Sequence, residues 1–228
     1  ATAFEIGTRG ATVRPATNAA LTLASASLGE GTLRKESPGT LLLAAPLGNA
    51  GGVLISEGSV AFTNDVFGAN PLQLGGGTLR HTGTDAVTLN APVTVSATSV
   101  LRTEQAALTL GGPLAFSAAA TLAVESTNGV TLAGTANVSG AERKLHLREG
   151  KLQLASGADY TLSGTARDAV SLGSGSNRQA ELVIEPGARL RAGGIYIDSV
   201  SASTNCACVV RQEGGRVDLT HSDTLFIR

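Results

Sequence analysis

Three groups of residues in this 228-residue chain have types and spacings that chemistry could use. Asp198 and Asp218 stand beside the apolar pairs Ile195/Ile197 and Val217/Leu219, and strand alternation turns both carboxylates outward. Glycoside hydrolysis needs two carboxyl groups about 5 to 10 Å apart, and Arg189 and Arg191 lie near enough in sequence to line the same groove. Against that stands the ordinary reading of two solvated strand-edge acids, since unpaired charges are almost never placed inside. The second group is Cys206-Ala207-Cys208, with His221 and Asp218 or Asp223 close by. Two cysteines at this spacing are a weak metal signal beside a doubled C-x-x-C set. Side chains two apart in a strand sit about 6 to 7 Å apart at Cα, the upper limit for a disulfide. Buried thiols acting as small hydrophobes come first, a disulfide within a projecting loop second, and a link between subunits third. The third group is His146, turned outward between Leu145 and Leu147, and His81, which follows Arg80 in a polar turn; both read as surface residues. The chain carries no Gly-x-Ser-x-Gly elbow with ordered partners, no phosphate-binding glycine loop and no Gly-Gly-x-Gly-x-Asp repeat. The expectation is no catalytic residue, no cofactor and no metal.

The elements that would position these residues announce themselves by alternation. Leu21-Thr22-Leu23, Leu72-Gln73-Leu74, Val93-Thr94-Val95, Leu108-Thr109-Leu110, Val130-Thr131-Leu132, Leu152-Gln153-Leu154 and Val217-Asp218-Leu219 place one polar residue between two apolar ones, and glycine follows closely after Leu74, Leu110, Leu132 and Leu154. That is the half-buried strand pattern, and no window of helical length carries a 3.6-residue stripe. Leu108/Leu110, Val130/Leu132 and Leu152/Leu154 recur at about 22 residues, and Ile195/Ile197 to Val217/Leu219 repeats the interval. Leu122/Val124 to Leu145/Leu147 and Tyr160/Leu162 to Leu182/Ile184 keep similar time. Two or three short strands per repeat, turned by Gly, Asn, Asp or Ser, describe a coil of a parallel β-helix. At about 4.8 Å per coil the chain makes about ten coils and a rod of about 50 Å. An antiparallel sandwich is the competitor, but it favours tight hairpin turns, of which Asn128-Gly129 is the one example. Residues 1–228 therefore read as a single all-β domain.

Composition agrees. Hydrophobic residues make up 42% of the chain but aromatics only 3%, with 29 Gly and no Met or Trp, which suits a thin layered core of aliphatic ladders with glycine at the corners. The net charge of -1 comes without a like-charge run, so no nucleic-acid footprint or polybasic membrane patch is expected, and no apolar stretch is long enough to insert in a bilayer as a helix. The chain begins Ala1-Thr2-Ala3 without an initiator Met or a leader pattern, which reads as a processed product or a segment of a longer rod.

Lys35-Glu36-Ser37-Pro38-Gly39-Thr40-Leu41-Leu42-Leu43, followed by Gly51-Gly52-Val53-Leu54-Ile55 and Glu57-Gly58-Ser59-Val60, resembles the autotransporter-associated β-strand repeat of bacterial autotransporter passenger domains, with Pro38 and Val60 departing from its pattern. The resemblance covers residues 31–79. It implies a right-handed β-helix exported to the bacterial surface or beyond, serving adhesion, coating or structural extension, and it implies no catalytic residue. The expected function is a noncatalytic extracellular structural or adhesive element, self-associating end to end through uncapped coils, with a host or matrix surface as a further partner. The alternative is a carbohydrate-active or carbohydrate-binding β-helix that uses Asp198, Asp218, Arg189 and Arg191; the scarcity of outward aromatics weighs against it, since sugar rings usually stack on Trp or Tyr and only Tyr160 and Tyr196 are available. Thr63-Asn64-Asp65 echoes the Asn-Thr-Asp of pectin-degrading β-helices, but in the wrong order and without a Gly-His-Gly partner.

Overall fold

The structure is a computed structural model that describes residues 4–117, 119–139, 143–163, 168–173, 179–197, 207–220 and 225–227. Among these every regular element is a β-strand, and every strand pairing is parallel. The strands stack as a β-solenoid of about eight turns, each turn presenting up to three strands in chain order. One face holds Leu108–Leu110, Val130–Leu132, the end of Arg143–Leu154, Gln179–Ile184 and Ala207–Gln212. The next holds Ala11–Val13, Leu33–Lys35, Val53–Ile55, Leu72–Leu74, Val93–Val95 and Leu114–Phe116. The third runs without a break from Ala20–Leu23 to Leu225–Ile227.

Alternation decides which side chains enter the interior, and parallel register decides which ones meet there. On the third face Leu41, Val60, Leu79, Leu101, Val124, Leu147 and Leu172 are successive register partners, and all are buried. On the second face Leu33, Val53, Leu72, Val93 and Leu114 form the same kind of column. Burying one Val or Leu contributes about 1.5 to 3 kcal/mol. An exposed ion pair contributes about 0 to 1 kcal/mol. The aliphatic columns therefore dominate the stability of the stack.

The register upholds part of the sequence reading and corrects part of it. Leu108, Val130 and Leu152 do stack at the 22-residue interval, and Leu122 stacks on Leu145 at 23 residues. Ile195 does not meet Val217, because it pairs with Leu225, while Val217 pairs with Leu190. Tyr160 pairs with Leu190 and not with Leu182, which sits on Leu152. From Leu152 onward the turns lengthen, with partners as much as 30 residues apart, because extra residues enter between strands without disturbing the columns.

One turn is irregular. The face that begins with Phe4–Ile6, Ser27–Gly29 and Leu47–Asn49 has no ladder to the later strand at the same place in the turn, Val87–Leu89. The intervening segment is a loop in which Asp65 Oδ1 accepts hydrogen bonds from the Phe67 and Gly68 amides at 3.0 Å each. The Leu47 amide donates to the Val66 carbonyl at 2.7 Å, and Val66 and Phe67 fill the interior. Phe67 meets Phe62 edge to face at 5.3 Å, and Phe62 lies 5.2 Å from the His81 ring. Large rings collect where the regular ladder lapses because the space there is irregular.

Another corner shows what a turn demands of the backbone. Arg143–Leu154 crosses from the third face to the first, pairing with Ala120–Ser126 before the corner and with Val130–Leu132 after it. The corner is Gly150, with φ of 86°, where a Cβ would lie 1.6 Å from the Ser126 carbonyl oxygen. No side chain fits against a backbone atom at that distance. We expect Gly150→Ala to destabilise the protein by about 3 kcal/mol or more, read as a lower midpoint in urea unfolding; an unchanged midpoint would contradict the close approach.

Candidate functional site

Of the residues singled out from sequence, Asp198, Cys206, His221 and Asp223 lie outside the described residues. Asp218 is described, and it is occupied: its carboxylate accepts from Arg189 Nη2 at 2.9 Å and from Arg216 Nε at 2.7 Å. Arg191 is its register partner across the ladder and is exposed, but the carboxylate turns to Arg189 and Arg216. The Arg216 hydrogen bond is the chief cause holding the Asp218 carboxyl below its ordinary value, with Arg189 acting in the same direction against a smaller opposing effect of desolvation. A carboxyl so held stays ionised at neutral pH, which does not suit it to the protonated acid of glycoside cleavage. Cys208 occupies an inward position, in register with buried Ala180, and is partly buried against the core. Among the described residues no group of three or more His, Cys, Asp or Glu is placed to hold a metal.

The histidines divide. His146 lies on the outside of the third face, half-buried, with Nε2 3.1 Å from the Gly173 carbonyl oxygen. His81 is not on the surface as expected but fully enclosed. The signal was available: Leu79 and His81 are two apart, so alternation sends both inward. His81 Nδ1 lies 3.4 Å from the Ala106 carbonyl oxygen, and Nε2 has no hydrogen-bond partner. On the ladder His81 is followed by Thr103 and then Ser126, whose hydroxyls are 2.9 Å apart. The Ser126 hydroxyl also accepts from the Gly129 amide. Tyr160, one of the two rings considered for sugar stacking, is likewise buried, between Ala136 and Leu190 on the ladder. Burial pushes its hydroxyl well above the ordinary tyrosine value, and the hydroxyl has no partner.

Other polar groups enter the interior to satisfy corner carbonyls. Lys35 is fully enclosed, and its Nζ donates to the Ser37 carbonyl at 2.5 Å and to the Glu57 carbonyl at 3.0 Å. Burial lowers the pKa of this ammonium, a shift the Glu57 charge partly opposes. Asn49 donates to the Gly31 and Gly52 carbonyls and receives the Ser27 hydroxyl at 2.9 Å. These are structural tasks, because the side chains tie corner carbonyls to the interior, the Gly52 carbonyl accepting from the Leu33 amide at 2.9 Å as well as from Asn49.

On the outside, charged side chains join positions one turn apart: Arg14 to Glu36, Arg80 to Glu104, Arg102 to Glu125, Lys144 to Asp168 and Arg211 to Glu181. Glu125 is the most protected, its side chain 9% exposed and held from both sides by Arg102 and by Arg148, the latter at 3.0 Å. Desolvation alone would raise its pKa, but hydrogen bonds from the two guanidiniums outweigh it and hold the carboxyl below its ordinary value of 4.5.

The third face also carries a groove of about 320 Å³ lined by Thr121, Lys144, His146, Asp168, Ser171, Gly173 and Tyr196. His146, Ser171 and Tyr196 are register partners on three successive strands, so their side chains form one outward column. Sequence reading noted His146 and Tyr196 separately and missed their juxtaposition, because the 25-residue spacings here exceed the interval it used.

Because the folded-state pKa of Glu125 is depressed, its contribution to stability is present above pH about 4.5 and is lost as pH falls through the lowered value. We expect Glu125→Gln to cost about 1 to 3 kcal/mol at pH 7, with the difference from wild type narrowing in urea unfolding below pH 4; a difference independent of pH would refute the ion-pair account. Comparison with protein-family models, with curated proteins and with solved structures found no match to this chain.

Proposed function

We propose that this chain is a noncatalytic structural element, a stiff right-handed β-helix that serves as an extracellular scaffold or adhesive rod of a bacterial surface. The observation that carries this reading is the continuity of the third-face ladder, in which strand follows strand in register from Ala20–Leu23 to Leu225–Ile227. Such a stack distributes its stability over every turn and holds its length without a globular core. The ion pairs support the same reading, since they are spent on joining turns and Asp218 is neutralised by its arginines. The repeat resemblance of residues 31–79 motivates the surface location and the right-handed coil.

End-to-end association follows as part of the proposal. In the first described turn Ala20–Leu23 pairs on one side with Thr40–Leu43, and in the last Ala207–Gln212 pairs on one side with Gln179–Ile184. Among the described residues no strand pairs with their other edges, whose backbone groups run in the direction a further turn would use. The exposed large hydrophobic residues among those described, Leu21, Leu28 and Val209, belong to the first two turns and the last. A head-to-tail contact of this kind extends without closing. Negative-stain electron microscopy of the purified chain at rising concentration should show thin rods that lengthen. Rods of one fixed length, with a monomer mass by light scattering at the highest concentration, would overturn the self-association.

A further inference from the structure

The two ends of the solenoid are built from the same parts. In the first described turn Phe4–Ile6, Ala11–Val13 and Ala20–Leu23 each pair only with the turn that follows. In the last, Ala207–Gln212, Arg216–Leu219 and Leu225–Ile227 each pair, among the described residues, only with the turn before. Their free edges face opposite ways along the axis. Because every pairing is parallel, each free edge carries the hydrogen-bonding pattern of an internal edge. The interior columns also lose their cover at both ends. Ala11, Val13 and Leu23 at one end, and Cys208, Val210, Val217 and Leu219 at the other, are only partly buried, whereas their ladder neighbours Leu33, Leu43, Leu182 and Leu190 are enclosed. Leu21, the register partner of buried Leu41, is 43% exposed. An apolar column open at one end gains most from a second column continuing it.

A single strand pair could slip by two residues and keep its inward set inside. The corner removes that freedom, since an internal turn lays corner over corner. Ile6 and Ala11 flank the first corner five positions apart, and Gln212 and Val217 flank its counterpart at the other end, also five apart. Superposing the corners sets Ile6 over Gln212, Ala11 over Val217 and Val13 over Leu219. Outside, the same register sets Glu5 over Arg211. Charge agrees with this. Arg211 meets Glu181 one turn below at 2.8 Å, and Glu5 is exposed and joined to no cation among the described residues. Arg211 between Glu181 and Glu5 would repeat, with signs exchanged, the way Glu125 is held between Arg102 and Arg148. We infer that a second copy docks in this one register, Phe4–Ile6 and Ala11–Val13 of one copy laid on residues 210–212 and 217–219 of the other, so that the junction repeats an internal turn. The inference rests on the end-to-end association proposed above and adds to it the register and the contact of Glu5 with Arg211.

The test separates register from association. Cys206→Ser and Cys208→Ala remove the native thiols from the full chain, and outward cysteines are then placed at opposite ends, Thr12→Cys with Asp218→Cys, or Thr12→Cys with Arg216→Cys. In the inferred register Thr12 lies over Asp218 at about 4.8 Å between Cα atoms, within disulfide range, while Arg216 comes opposite only after a two-residue slip. Light scattering reads the self-association of wild type and of each reduced variant at rising concentration. On oxidation the Asp218 pair should give a ladder of covalent multimers on non-reducing gels and the Arg216 pair little. Association without multimers from the Asp218 pair, or with more from the Arg216 pair, overturns the register and leaves association standing. A wild-type monomer at every concentration overturns both. The ion pair is tested with the native cysteines in place. Glu5→Lys should raise the concentration needed for assembly about threefold or more at low salt, the difference shrinking in about 1 M NaCl. An unchanged threshold at low salt, in a variant shown folded by circular dichroism, overturns the contact with Arg211.

Discussion

Everything in this molecule depends on parallel register between one turn and the next. A strand here is short, often three residues, and holds almost no stability alone. It persists because its backbone pairs with the strand above and the strand below, and because the same register lays Leu on Val on Leu inside. A slip of one residue would turn a whole inward set outward. Insertions are therefore tolerated only between strands, which is where the longer C-terminal turns carry them.

The need to close each turn explains why polar residues occur in the interior at all. A corner leaves carbonyls and amides facing inward, and Lys35, Asn49 and Ser126 reach them from positions that alternation had already sent inside. Lys35 follows Leu33 and Asn49 follows Leu47 at a spacing of two. The same logic put His81 and Thr103 inside, one turn apart. Outside, opposite charges meet at the same one-turn separation, so the helix period is written twice, in aliphatic residues within and in ion pairs without.

The all-β class and the parallel stacking could be read from Leu108, Val130 and Leu152, because a strict interval leaves few other architectures. The pairing of Ile195 and Tyr160 could not, since loop length between strands is set by no local rule and shifts the partner without altering the strand pattern. His81 was misplaced because a charged neighbour, Arg80, suggested a turn, while two-residue alternation from Leu79 pointed the other way. The groove was hidden for a related reason. His146, Ser171 and Tyr196 become neighbours only when the lengthened turns are counted correctly.

The loop around Asp65 interrupts one face of an otherwise continuous ladder. In mechanical terms it is a soft joint. Load along the rod is shared across a cross-section by the strands present there, and at this level one face contributes the Leu47 amide to Val66 carbonyl and Asn70 side-chain amide to Leu47 carbonyl hydrogen bonds in place of a three-residue ladder. Phe62, Phe67 and His81 act as packing around the joint, keeping water out but supplying little directional stiffness. At this level, then, one face joins successive turns by isolated hydrogen bonds and ring packing where the other levels use a ladder.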